Sequence, residues 1–182
     1  MDRQRPIRIG MVTMVLGLLI GCGGGPQPDA SEDMPDLTPE NRKTVRLALI
    51  QTLVEKKAYD SAVPLLSRGL EEEPKNAQLY ALRAIILRER GRLEEARKEF
   101  LTSISLEPRN PFALGGLGVT LNLLGEHAAA TPRHEAAVKL APESPKLLNN
   151  CGFSLYLERK YAEAEKRYES AIRSDPRMHI AY

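Results

Sequence analysis

The 182-residue sequence has no tryptophan, 5% aromatic residues and three histidines. With so little aromatic bulk, Leu and Ala must supply the core, and both favour helix. Two cysteines, Cys22 and Cys151, are too few for a disulfide framework or a zinc site, and no histidine cluster makes up the difference. Neither sign of charge dominates. The formal charge is +2, but Arg3, Arg5, Arg8 and Asp2 all precede Gly21, and without that segment the chain is neutral. A nucleic-acid binder needs a basic stripe to neutralise phosphates, and this balance argues against one. No GxSxG, HExxH or paired-carboxylate constellation is present. Gly115-Gly116-Leu117-Gly118 lacks both the preceding strand and the Lys-Ser/Thr of a phosphate loop. The sequence therefore points to no enzyme, no cofactor and no metal. What it does have is 42% hydrophobic and 27% charged residues, the composition of a globular chain.

Residues 1–8 hold three arginines, and Ile9–Gly21 is an uncharged, mostly apolar run of 13 residues. A membrane-spanning helix needs about 20, so this pattern reads as a secretory signal. It ends Leu19-Ile20-Gly21-Cys22, which resembles a bacterial lipobox. The resemblance implies cleavage after Gly21 and acylation of Cys22 with palmitate-like chains. Each buried CH₂ of such chains adds about 0.8 kcal/mol of membrane affinity. The alternative is an uncleaved short anchor with an ordinary cysteine. Gly23 follows Cys22, and by the sorting rule of enteric lipoproteins this implies the outer membrane, facing the periplasm. Residues 22–38 then form a Gly-, Pro- and acid-rich flexible linker with a coil span of roughly 20–25 Å.

The remainder repeats every 34 residues, marked by Pro74, Pro108, Pro142 and Pro176. Ala62, Ala96, Ala130 and Ala164 keep one register, as do Leu66, Phe100, His134 and Tyr168. Small residues recur where helices approach closely, and large ones where a gap needs filling. The spacing predicts two helices per unit. In the last unit they run over Lys146–Arg159 and Ala162–Ser174, with a break at Lys160-Tyr161. Gly91 and Gly125 fall in the inter-helix turns as C-terminal caps. Thr38-Pro39-Glu40 offers an N-cap with proline at the first helical position.

These positions resemble the tetratricopeptide repeat (TPR). In unit four the motif is Leu148, Cys151, Gly152, Ala164, Tyr168, Ala171 and Pro176, and in unit three Leu114, Leu117, Gly118, Ala130, His134, Ala137 and Pro142. Unit two matches through Tyr80, Ala84, Ala96, Phe100 and Pro108, and unit one, the most degenerate, through Leu49, Ile50, Ala62, Leu66, Gly69 and Pro74. The expected fold is an all-α superhelical solenoid of four units, 43–76, 77–110, 111–144 and 145–178. Residues 179–182 are a tail or the start of a fifth unit, since Tyr182 shares the register of Tyr80. Three features depart from the pattern. Pro64 and Pro132 fall inside second helices, which are therefore expected to start late or kink. Gly115-Gly116 should weaken the helix that carries it and leave the middle of the array flexible. No polar capping helix follows Pro176, so a partner or a second copy in a homodimer should cover the last helix, unless the chain is a fragment.

In TPR arrays the first helices line a concave groove. Carrying over that register gives Leu47, Gln51 and Val54, then Gln78, Ile85 and Arg88, then Phe112, Val119 and Asn122, then Lys146, Asn149, Phe153 and Tyr156. Asn150 takes the position where such repeats place an amide against a ligand backbone. Each of these is either groove or helix-packing core. The family's clamp for a charged C-terminal carboxylate is interrupted by Gly115, Gly116 and Val119. A groove bearing Phe112, Val119, Phe153 and Tyr156 suits an apolar or amphipathic segment instead. Cys151 reads as a buried inert thiol, and His127 and His134 lack further metal ligands. Glu71-Glu72-Glu73 reads as a solvated charge run. Lipid anchor, linker and TPR units together resemble the TadD family of tight-adherence (Flp) pilus assembly lipoproteins and, next, the PilF/PilW-like type IV pilus pilotins. The resemblance implies a non-enzymatic scaffold that assists pilus or secretion-system assembly, with pilus or secretin components as partners. The alternative is a general envelope adaptor for cell-wall enzymes or outer-membrane assembly.

Overall fold

The computed structural model describes residues 38–176. The signal segment, Cys22, most of the linker and Tyr182 lie outside the described residues. All the secondary structure described is helical: α1 Pro39–Glu55, α2 Tyr59–Glu72, α3 Ala77–Glu89, α4 Leu93–Leu106, α5 Pro111–Leu123, α6 His127–Leu140, α7 Pro145–Leu157 and α8 Tyr161–Ser174. No helix among the described residues is long and apolar enough to cross a membrane.

The helices pair because one turn is built four times at the 34-residue spacing. After α3 the Gly91 amide donates to the Arg88 carbonyl and the Arg92 amide to the Leu87 carbonyl, both at 2.9 Å. This is a Schellman closure, and it needs a left-handed residue at its apex. Gly91 (φ 75°) and Gly125 (φ 81°) supply it, as their sequence positions predict. In the outer pairs Lys57 (φ 57°) and Arg159 (φ 63°) take the same conformation without being glycine. Consequently α7 ends at Leu157, the turn is Glu158–Lys160, and α8 starts at Tyr161, one residue ahead of the expected Ala162. The entries to the second and third pairs are capped by asparagine side chains, whereas Ser144 at the start of α7 makes no such bond. Asn76 accepts from the Gln78 and Leu79 amides, and Asn110 from the Ala113 amide at 3.0 Å. Thr38 caps α1, accepting from Asn41.

The second helices do not start late. α2 and α6 begin in the same register as α4 and α8, and Pro64 and Pro132 lie at the sixth helical residue. Each proline removes the amide that would reach Asp60 or Ala128. Those residues and both prolines are exposed, so water can satisfy the freed carbonyls. The Gly115-Gly116 reading also changes. α5 is continuous through it, and the glycines are sites of close packing. A Cβ on Gly116 would run into the Phe100 ring, and one on Gly115 would sit 2.6 Å from Leu147 Cδ2. One glycine admits the preceding pair and the other admits the following pair.

Three successive apolar clusters replace a single core. The first joins Ile50, Val54, Leu66, Leu79, Leu82 and Ile86. The second gathers Ala81, Ala84, Ala113, Leu117, Leu121 and Ala130 around Phe100. The third holds Val138, Leu148, Cys151, Leu155, Ala164 and Ala171. Ala62, Ala96, Ala130 and Ala164 are all buried at the helix crossings, as their register predicts. First helices touch one another (α1 with α3, α3 with α5, α5 with α7), so they form a continuous inner layer. The acidic run is not wholly solvated: Arg46 of α1 reaches Glu72 at 2.8 Å and Glu73 at 3.3 Å. The Arg46 hydrogen bond holds the Glu72 carboxyl below its ordinary range.

Candidate interaction groove

The inner layer carries a face of exposed aromatic side chains. Phe112 of α5 and Phe153 and Tyr156 of α7 are 46%, 47% and 53% exposed. Apolar side chains of this size are ordinarily buried, and of the three Phe153 also lines the recess between these helices. Tyr156 is held by a tilted ring contact with Tyr161, 5.6 Å between centroids.

Between α5 and α7 the surface sinks into a recess of about 360 Å³. Its apolar walls are Val119, Leu123, Phe153 and Leu157, and its polar groups are Asn122, His127, His134 and Asn150. Val119, Asn122, Asn150 and Phe153 belong to the groove set read from the register, and the other four do not. Leu123 and Leu157 are themselves 34 residues apart, so the period held a signal for them. His134 was legible only as a stand-in for the aromatic of the other units.

Hydrogen bonds fix the recess across the two helix pairs. The Asn122 amide donates to Ser154 Oγ at 2.6 Å, and His127 Nδ1 lies 3.3 Å from Asn122 Oδ1. Nearby, the Thr131 hydroxyl donates to Glu158, whose other oxygen pairs with Lys160 at 3.0 Å. The Thr131 hydrogen bond first, and then Lys160, hold the Glu158 carboxyl below its usual range. His134 is different. Its ring is fully buried beneath Gly118, and neither ring nitrogen has a hydrogen-bond partner. A Cβ on Gly118 would fall 2.6 Å from His134 Nε2. Burial alone lowers the His134 pKa to about 4, so the ring is neutral near pH 7.

The remaining expected groove residues divide by exposure. Gln78 and Lys146 are exposed, and Gln51 is half-buried. Arg88 is engaged by Glu89 at 3.0 Å. Asn149 is half-buried, with its Oδ1 screened from water and unpartnered. Val54 is a correction: it is 7% exposed and belongs to the first apolar cluster, because α3 packs over that end of α1. Leu47 and Ile85 also lean on that cluster and present only part of their surface. Cys151 is fully buried, and burial pushes its thiol pKa up, which disfavours the reactive thiolate. No group of three or more potential metal ligands is found among the described residues.

Residues 53–113 match the family model of the tetratricopeptide repeat. Together with the eight paired helices, this match shows a tetratricopeptide-like helical solenoid. The array is similar to solved structures of MamA. One, MamA MSR-1, is 23% identical over 74% of this chain and 78% of that chain, with a TM-score of 0.57. Another crystal structure of MamA gives a TM-score of 0.62 at 18% identity, covering 79% of this chain and 84% of that one. The first TPR of Spaghetti (RPAP3), solved with the HSP90 peptide SRMEEVD, is 22% identical over 56% of this chain and 80% of its own, with a TM-score of 0.54. At these identities the likeness shows the fold.

Proposed function

We propose that this chain is a non-enzymatic scaffold, lipid-anchored at the bacterial envelope through Cys22, that holds an apolar or amphipathic protein segment in its inner groove. The observation that carries the reading is the α5–α7 recess with the half-exposed Phe153 ring in its wall, on helices that also expose Phe112 and Tyr156. Apolar burial at about 25 cal/mol per Å² would drive the association, and the amide of Asn150 would orient the bound backbone. The basic segment, short apolar run and Leu19-Ile20-Gly21-Cys22 motif support the anchor, the outer membrane facing the periplasm being its expected site. Anchor, linker and TPR units together support a role in pilus or secretion-system assembly of the TadD or pilotin kind.

A photo-crosslinking phenylalanine analogue placed at position 153 tests this in intact cells, with Leu101 on an outer helix as the control position. The expected crosslinks, found from 153 and not from 101, are to a pilus or secretin component. Crosslinks only to cell-wall enzymes would replace the assembly role by the general adaptor. Equal labelling from both positions would remove the groove from the function. Cys22→Ser should release the protein from membranes, and its retention there would refute the lipid anchor.

A further inference from the structure

His134 occupies a register that the other three units fill with Leu66, Phe100 and Tyr168. It is the only one of the four with two polar ring atoms to satisfy, and neither is satisfied within the chain. A buried polar atom without a partner costs about 1–3 kcal/mol, so such an atom beside a cavity calls for a missing group. The recess it borders has room for a ring rather than a single water, whose share of liquid volume is about 30 Å³.

The lining decides what kind of ring. His134 is neutral, the lining holds no carboxylate, Lys or Arg, and the nearby carboxylate of Glu158 is already engaged by Thr131 and Lys160. A carboxylate or ammonium entering here would be desolvated without a counter-charge. A purely hydrocarbon ring would gain the walls of Val119, Leu123, Phe153 and Leu157 but leave His134 unsatisfied. A neutral ring with a hydroxyl at its tip meets both demands. The phenol donates to an acceptor nitrogen or accepts from a donor one, whichever tautomer His134 adopts. An indole N–H can only donate.

We infer that the α5–α7 recess is an anchor pocket for a tyrosine side chain of the groove-bound segment, with its hydroxyl hydrogen-bonded to His134. The inference rests on the groove reading above and names the residue that the groove selects. His134 here is a specificity-determining residue; its ring is fully buried against Gly118, so the bond requires the recess lining to give way around the entering phenol.

The test uses the full chain in lipid nanodiscs, labelled with ¹⁵N-histidine and titrated with p-cresol, toluene and 3-methylindole as surrogates for Tyr, Phe and Trp. p-Cresol is expected to bind about five-fold tighter than toluene, the value of one net hydrogen bond. It should also move the His134 ring ¹⁵N resonances. In His134→Phe, which mimics Phe100 of unit two, the preference should fall to about one while toluene still binds. Should that variant fail to fold, Leu123→Trp at the recess mouth should abolish binding of all three probes. Equal affinities for p-cresol and toluene, tighter 3-methylindole, or unmoved His134 nitrogens at saturation would each overturn the proposal. A p-cresol preference without groove crosslinks would leave the pocket standing and remove the groove reading, and the converse pair of results would do the opposite.

Discussion

Lys57 and Arg159 hold left-handed conformations that glycine holds in the two inner turns. A side chain there costs about 1–2 kcal/mol against the following carbonyl, and glycine gives part of that back through unfolded-chain entropy. Lys57→Gly and Arg159→Gly should each stabilise the fold by roughly 0.5–1 kcal/mol. Gly91→Ala or Gly125→Ala should cost about 1 kcal/mol. Urea denaturation reads both, and a loss of stability in either glycine substitution would show that the charged side chains make compensating contacts. His134 gives a second residue-scale prediction. Its folded pKa of about 4 lies below the unfolded value of 6.5, so the unfolded chain takes up the proton first. Stability is therefore full above pH 6.5 and falls with acid until about pH 4. Between pH 7 and pH 5 the loss should be about 2 kcal/mol, before most carboxylates titrate. His134→Phe should flatten that window in urea midpoints measured at the two pH values. A variant as acid-sensitive as the parent would assign the proton elsewhere.

At the scale of the helix, Gly115 and Gly116 set two effects against each other. Helix propensity favours Gly116→Ala by roughly 0.5–1 kcal/mol. The new Cβ, however, would overlap the fully buried Phe100 ring, and overpacking a core costs typically 1–3 kcal/mol. Packing should win, leaving Gly116→Ala destabilised by about 1–2 kcal/mol in thermal or urea unfolding. A stabilised variant would mean that α4 can shift without penalty. Helix-by-helix reading of the sequence missed this because the reason for the glycine lies in other helices, at Phe100 and Leu147. The same locality explains the prolines: an interior proline reads as a break until the exposure of its side and of the freed carbonyl is known. By contrast, the 34-residue period, the Gly91 and Gly125 turns and the buried alanines were legible, because each repeats one local solution. In the groove, Val119, Asn122, Asn150 and Phe153 were legible by register. The assignment of Val54 to core and the unpaired nitrogens of His134 were not, since both depend on what a neighbouring helix places over them. Pro132→Ala tests the exposure argument. It restores one helical hydrogen bond at a solvated position and should stabilise by about 1–3 kcal/mol. A neutral or negative result would mean that proline's restriction of the unfolded chain offsets the lost bond.

Across the whole described array, burial is organised pair against pair rather than around one centre. Ile50, Leu66 and Leu79 share the first cluster with α3, whereas Leu148, Cys151 and Leu155 share the third with α6 and α8. Those two sets have no residue in common, and Phe100 with its glycine neighbour lies between them. In such a stack each unit's stability is its own plus that of its immediate interfaces, so a defect should spread by adjacency. Leu66→Ala removes most of a side chain that is 2% exposed, a change that costs about 2–5 kcal/mol where the cavity cannot collapse. The loss should be felt as faster amide hydrogen exchange in α1, α2 and α3, with α7 and α8 keeping their protection at low denaturant. Leu155→Ala should give the mirror image, exposing α7 and α8 first. Equal loss of protection in all helices from either substitution would show a single cooperative unit. The α5–α7 groove would then be no more separable from the Leu66 cluster than from its own walls. If the defects stay local, the groove can be weakened or strengthened through the Asn122–Ser154 and Thr131–Glu158 bonds that span its two pairs, without touching the first pair at all.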